Sequence, residues 1–215
     1  MKTWLITGCS SGFGRNLAET LLSEGEQVIV TARKPKTIQH FAKNYPLTAL
    51  CLRLDVTKKD TIDATVNAAI EKFGKIDVLI NNAGYCLRGA VEECTEEEIY
   101  AEFNTNFFGA VRMIQAVLPH MRKAGIGAII NYSSIAALDT SAGSAFYGAA
   151  KCALEGLSCG LRKEVEPLGI KVMVVEPGPF KTDFFDRSID INPNRIAAYD
   201  DTANKRKVKI SDLSK

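Results

Sequence analysis

The chain has 215 residues, 46% of them hydrophobic and 24% charged, with 27 Lys and Arg against 25 Asp and Glu for a formal net charge of +2. A chain of this size buries a full core without disulfide or metal staples, and both fractions are those of ordinary globular proteins, which excludes wholesale disorder. The near-neutral balance argues against nucleic acid as the main partner, because phosphate binding needs a concentrated basic face. No apolar run approaches the roughly 20 residues of a membrane-spanning helix.

Strand and helix patterns alternate along the chain. Trp4 to Thr7 reads as a short strand, followed by a glycine-rich turn and a helix over 13–24 with Phe13, Leu17, Leu21 and Leu22 on one face. Val28-Ile-Val30 is a β-branched buried strand, a helix follows around 36–44, and 49–54 is the third strand. Ile62, Val66, Ala69, Ile70 and Phe73 stripe a helix over 59–73, closed by Gly74. Ile76 to Ile80 is strand four, one long helix covers about 96–123, and Ile126 to Tyr132 is strand five. A helix over about 147–166 and a sixth strand, Ile170 to Val175, precede the break at Pro177-Gly178-Pro179. Continuous apolar strands separated by helices predict a parallel sheet covered on both faces, and right-handed crossovers make it a Rossmann-type, doubly wound α/β fold of six strands.

No convincing strand follows residue 178, where Lys205, Arg206, Lys207, Lys209 and Lys215 read as a solvated helix face. The start of the chain, residues 2–7, is too short in apolar character for a signal peptide, so a cytoplasmic location is expected. Six cysteines with no Cys-x-x-Cys pair, and only His40 and His120 beside them, predict neither a metal site nor a disulfide framework.

The turn after the first strand reads Thr7-Gly8-Cys9-Ser10-Ser11-Gly12-Phe13-Gly14. Glycines between strand and helix let a pyrophosphate approach the backbone, and the helix N-terminus offers it free N–H groups. Dinucleotide binding is therefore expected here, through Gly8, Ser10, Ser11, Gly12, Phe13 and Gly14. The same residues satisfy G-x-S-x-G, which would make Ser10 an acyl-transfer nucleophile. Position in the chain argues against that rival, since the hydrolase elbow follows a later, central strand and needs an acid and a histidine downstream. The turn after strand two, Thr31-Ala-Arg33-Lys34, has no carboxylate for an NAD ribose, while the Arg33 fork suits a 2′-phosphate. NADP(H) is thus favoured over NAD(H).

Tyr147 and Lys151 stand at i and i+4 on one helix face, with Ser134 at the end of strand five. Hydride transfer at an alcohol carbon needs a proton donor or acceptor at the oxygen; a phenol is a poor base at neutral pH unless a cation stabilises its phenolate. The Ser134 hydroxyl can hold the substrate oxygen toward Tyr147.

With these residues the sequence resembles the short-chain dehydrogenase/reductase family, of the T-G-x-x-x-G-x-G and Y-x-x-x-K type, from residue 3 to about 185. Asn81-Asn82-Ala83-Gly84, Asp55-Val56, Asn106 and Pro177-Gly178 with Thr182 match further motifs of that family. The resemblance implies that Tyr147 is the general acid/base, that Ser134 orients substrate, and that Lys151 binds the nicotinamide ribose and lowers the Tyr147 pKa. It implies that the main chain of Asn106 holds a relay water. Asp55 and Val56 would then flank adenine, Asn82, Ala83 and Gly84 line the cofactor, and Pro177, Gly178 and Thr182 contact the nicotinamide end. It also implies a small-molecule alcohol or ketone substrate and a homodimer formed through the helices at 96–123 and 147–166. The glycine turn and the Pro-Gly-Pro-Phe-x-Thr-Asp-Phe segment are similar to the retinol and hydroxysteroid branch, implying a lipophilic substrate walled by Phe180, Phe184 and Phe185. Residues 1–178 form the NADP-binding catalytic domain in this reading, and 179–215 its lid and C-terminal segment. Since the family continues into a further helix and a seventh strand, which the sequence does not show, the chain reads as either naturally short, with strand six an exposed sheet edge, or truncated. A catalytically inactive nucleotide sensor on the same fold is the alternative. The sequon at Asn131 falls inside a buried strand and is discounted.

Overall fold

A computed structural model of the chain describes residues 1–178 and 189–205. The β-branched and apolar runs form strands β1 (Thr3–Ile6), β2 (Gln27–Ala32), β3 (Ala49–Arg53), β4 (Val78–Asn81), β5 (Cys86–Arg88), β6 (Gly127–Tyr132), β7 (Ile170–Val175) and β8 (Ile189–Ile191). Six of them make one sheet in the order β3-β2-β1-β4-β6-β7, and every pairing in it is parallel. The fold is the doubly wound Rossmann type that the alternating pattern predicts.

Alternation along the strands feeds two cores, one on each face of the sheet. Leu5, Ile29, Leu79 and Ile129 share one row of the register and are fully buried. They pack under α3 (Lys59–Phe73), α5 (Phe108–Ala124) and α6 (Ala145–Val165), through Ile62, Val66, Met113, Val117 and Leu161. Ile6, Val28, Val30 and Ile80 point the other way, onto Ala18, Leu21 and Leu22 of α1 (Gly12–Ser23) and Phe41 of α2 (Gln39–Asn44). Each such buried aliphatic side chain contributes about 1.5–3 kcal/mol, so the sheet is held from both sides, as a parallel sheet requires.

Three features depart from the sequence-based expectation. The single helix over 96–123 is two, α4 (Glu96–Asn106) and α5, separated at Phe107, where φ is −110° and ψ is −64°. The break lets each half follow its own partner. Asn106 turns toward residue 85, while Gly109 brings α5 so close to β3's exit that a Cβ there would lie 2.6 Å from Val56. The helix over 36–44 is a 3-10 turn, Pro35–Thr37, followed by the short α2, with Ile38 buried between them. Finally, the stretch after residue 178 does contain a strand. β8 pairs in parallel with β5, Cys86 with Ile189 and Arg88 with Ile191. Three-residue strands carry too little periodicity to be read from sequence. The pair is instead fixed by polar contacts: the Glu93 carboxylate accepts from the N–H of Ala90 and Ile196 and from the Asn204 amide, tying 189–205 to the loop after β5.

Candidate active site

The carboxyl ends of the central strands converge at the point where the strand order reverses, between β1 and β4, which is where open α/β sheets bind ligands. The glycine turn leaves β1 there, and Asn82-Ala83-Gly84 leaves β4. Thr7 joins the two. Its hydroxyl accepts from the backbone N–H of Asn82 and of Ala83, both at 2.9 Å, and donates to the Ile80 carbonyl at 3.3 Å. The Asn82 amide donates to the carbonyls of Thr7 and Gly8 at 2.8 and 3.1 Å. This packing leaves no room for side chains: Gly8 has φ +76°, and a Cβ on Gly14 would lie 2.4 Å from the Asn82 amide nitrogen.

The turn fits an anionic ligand. Ser11 occupies the N-cap of α1 in extended conformation and its side chain does not cap the helix, which leaves the first N–H groups of α1 for phosphate. Gly12 faces open space, Ser10 and Phe13 are half-buried, and the Phe13 ring lies 5.9 Å from that of Tyr132. Among the described residues no hydrogen bond joins Ser10 to a histidine; His40 stands 4.0 Å from Glu19 and stacks on Phe41. The parts of a serine hydrolase are thus not brought together.

Arg33 is exposed at the end of β2, beside Asp55 at the end of β3. Burial alone would raise the Asp55 pKa, but hydrogen bonds from the Thr57 hydroxyl and N–H, with the charges of Arg33 and Lys58, hold it below the usual carboxylate value. Val56 is buried against Gly109.

Ser134 follows β6 and Tyr147 and Lys151 sit on α6, so the three predicted catalytic groups come from neighbouring elements. Ser134 and Tyr147 are hydrogen-bonded through their side chains. The Ser134 hydroxyl also accepts from the Ala136 N–H at 3.1 Å, and the Pro177 carbonyl accepts from the Ile135 N–H, which brings Pro177 and Gly178 beside this loop. Burial pushes the Tyr147 phenol up to about 12, against a smaller lowering by Ser134. The net direction in the free protein is thus upward; the Lys151 ammonium lies over the ring, 5.7 Å from its centroid, and donates to the Tyr132 carbonyl at 2.6 Å. Lys151 itself is almost wholly buried, and burial brings it down to about 8 although Glu102 and Cys86 act to raise it.

Asn106 grips the backbone of residue 85 with both ends of its amide, Oδ1 accepting from the Tyr85 N–H at 3.0 Å and Nδ2 donating to the Tyr85 carbonyl at 2.7 Å. Gly84 is the meeting point, since a Cβ there would lie 2.9 Å from Asn106 Oδ1 and 3.7 Å from Lys151 Nζ. Thr182 and the three phenylalanines expected to wall the substrate lie outside the described residues.

Sequence reasoning missed Thr7, Glu102, Arg88 and the buried Asn81–Asn131–Ser158 chain. Asn81 donates to Asn131 and Asn131 to Ser158, each at 2.8 Å, locking β4, β6 and α6 together. Arg88 lies close enough to lower the pKa of Cys86 and Tyr147, and among the described residues its Nε and Nη1 are buried without a hydrogen-bond partner. Glu102 had one available signal: it stands four residues before Asn106 and therefore on the same helix face.

The family model described as short chain dehydrogenase matches residues 2–191. The chain is 47% identical over 182 residues to 3-ketodihydrosphingosine reductase of Bacteroides thetaiotaomicron, covering 85% of this chain but only 65% of that protein's length. A short-chain dehydrogenase structure from Streptomyces avermitilis superposes with a TM-score of 0.92 at 40% identity, over 98% of this chain and 79% of the other. ElxO with NADP bound gives 0.80 at 35%, over 85% and 75%. A 3-ketoacyl-(acyl-carrier-protein) reductase of Brucella melitensis complexed with NADH gives 0.81 at 29%, over 85% and 77%. A parallel Rossmann-type sheet with a glycine turn after its first strand, and a half-buried Tyr147 beside a buried Lys151 on α6, defines the class. The chain belongs to the short chain dehydrogenase family.

Proposed function

We propose that the protein is an oxidoreductase that moves a hydride between NADP(H) and a carbonyl or alcohol substrate. The observation that carries this reading is the Ser134–Tyr147–Lys151 group facing the glycine turn across the carboxyl edge of the sheet. When bound, the nicotinamide supplies the hydride. Gly8, Ser10, Ser11, Gly12, Phe13 and Gly14 would hold the pyrophosphate, Asp55 and Val56 the adenine side, and Asn82, Ala83, Gly84, Pro177 and Gly178 the nicotinamide half. Arg33 pairs with the 2′-phosphate; no carboxylate stands at the end of β2 to favour NAD(H), and the NADP-bound relative supports the same choice although another relative carries NADH.

Ser134 donates a hydrogen bond to the substrate oxygen. Tyr147, held near pKa 12 by burial, is fully protonated at neutral pH and donates its phenolic proton to that oxygen as the carbonyl becomes an alcohol. Lys151, placed under the ring, binds ribose hydroxyls and stabilises the phenolate left behind, and Asn106 holds the backbone beside it on the path by which the proton is replaced.

A lipophilic substrate is supported by Ile135 and Leu138, which follow Ser134 and are 50% and 69% exposed. Pairing of two copies through α4, α5 and α6 is supported by the outer face of α6, where Cys152, Gly156, Cys159 and Gly160 leave exposed surface with little side-chain relief. A cytoplasmic setting agrees with six free cysteines. The test is NADPH oxidation against a panel of aliphatic and polycyclic ketones. Turnover that is lost in Tyr147→Phe supports the reading, and full activity of that variant overturns it.

A further inference from the structure

Glu102 lies in the middle of α4 and has no exposed surface. Burying a carboxyl in such a place is unfavourable unless charge and hydrogen bonds compensate it. One oxygen is engaged: Oε1 accepts from the Leu87 N–H at 3.0 Å and from the Asn106 amide at 3.4 Å. The other, Oε2, is buried with no hydrogen-bond partner among the described residues. The two bonds do not need a carboxylate, because a glutamine oxygen accepts the same N–H groups. What a carboxylate adds is charge, and the cation that acts on it is Lys151 of α6.

The two are linked through contiguous polar atoms. Glu102 meets the Asn106 amide, and Asn106 Oδ1 and Lys151 Nζ crowd the same face of Gly84. We infer that Glu102 is a positioning residue for Lys151: the buried counter-charge that, with Asn106, holds the lysine as an ammonium beneath Gly84. This rests on the role given to Lys151 above.

The surroundings on every side are consistent with that assignment. Tyr85 and Cys86, before and on β5, and Tyr147 on α6 all feel Glu102, and burial raises them to about 12, about 11 and about 12, so each is neutral near pH 7. Asp190 of β8 adds a negative charge that pushes Glu102 upward, and the Leu87 N–H and Lys151 pull it down. Burial dominates and brings Glu102 to about 7, while it brings Lys151 to about 8. The carboxylate–ammonium state is therefore narrowed from both sides: acid removes the counter-charge and alkali removes the ammonium.

The test is a pH titration of the free protein by NMR, with ¹³C,¹⁵N-labelled lysine and ¹³C-labelled glutamate, Lys151 being assigned by its loss in Lys151→Arg. In Glu102→Gln both hydrogen bonds survive and the charge does not. The Lys151 Cε and Nζ midpoint is expected to fall by about one pH unit, a tenfold change in its acid dissociation constant. Glu102→Asp restores the charge and is expected to bring the midpoint back toward that of the wild type. An unmoved Lys151 midpoint in Glu102→Gln overturns the inference. If that variant does not fold, Lys151→Gln decides: a Glu102 Cδ midpoint that rises when the ammonium is removed supports the link, and an unmoved one overturns it. No cofactor is needed, so failure of the NADP(H) assignment, seen as absent NADPH turnover, is distinguishable from failure of this link.

Discussion

The two sides of the cleft are built on opposite principles. The cradle between β1 and β4 is made of backbone and neutral groups: Thr7, the Asn82 amide, and Gly8 and Gly14, packed too tightly for a Cβ. The side formed by α4 and α6 is made of buried ionisable groups, Glu102, Tyr147 and Lys151, each displaced from its ordinary pKa by burial. A fixed anion such as pyrophosphate needs a shape and aligned N–H dipoles, which hydrogen bonding sets once and pH does not alter. A group that must give up and regain a proton needs a poised charge, and burial poises it at the cost of making it depend on its neighbours.

The contrast can be broken at several points, beginning where the effect is largest. Lys151→Ala on the ionisable side should lower kcat at least about 100-fold, within the range typical of lost acid–base assistance, with α6 still folded by circular dichroism. Retained turnover would remove Lys151 from the chemistry. On the cradle side, Gly14→Ala drives a methyl group into the Asn82 amide. It should cost about 1–3 kcal/mol of stability by urea denaturation and weaken NADPH binding, with the kcat pH profile unchanged.

A third test uses pH. Glu102 is raised from 4.5 to about 7 in the folded protein, so between those values the folded state keeps a proton that the unfolded chain has released. Its contribution to stability is present below 4.5 and is lost as pH rises through 7. Lys151, lowered from 10.5 to about 8, acts in the opposite sense: above pH 8 the folded state has shed a proton that the unfolded chain retains, and stability recovers with pH. Relative to Glu102→Gln, the wild type should therefore lose about 1–3 kcal/mol between pH 4 and pH 7 by urea denaturation. Parallel stability curves for the two proteins would contradict the buried-charge picture. The smallest effect is expected at the exposed Arg33, where Arg33→Ala should weaken NADPH about tenfold, or about 1.4 kcal/mol, and leave NADH unchanged by fluorescence titration.

The same division explains what the sequence made legible. The cradle was readable because its glycines stand at fixed spacing between a strand and a helix, and the spacing of Tyr147 and Lys151 lies on one helix; the Thr7–Asn82 contacts that close the cradle join segments 75 residues apart and were not readable. The six sheet strands were readable because double-sided burial leaves unbroken apolar runs. What was not readable depended on contacts between distant segments. The break at Phe107 follows from α4 and α5 serving different partners, residue 85 and Val56, which no periodicity reports. β5 and β8 are three residues each and are joined across a hundred residues by Glu93 and Asn204. The rise of the Tyr147 phenol also escaped, because a Tyr–Lys spacing reports proximity of the cation but not the burial that outweighs it.

Deuterium transfer tests the proposed chemistry most directly. NADPH carrying deuterium at the transferable C4 position is incubated with a ketone accepted by the wild type, and the alcohol is weighed by mass spectrometry. The expected result is an alcohol about one mass unit heavier from the wild type, with the rate of labelling reduced about 10²–10⁴-fold in Tyr147→Phe. NADPH consumption that leaves the product unlabelled, or labelling by Tyr147→Phe at the wild-type rate, would contradict hydride transfer coupled to a Tyr147 proton.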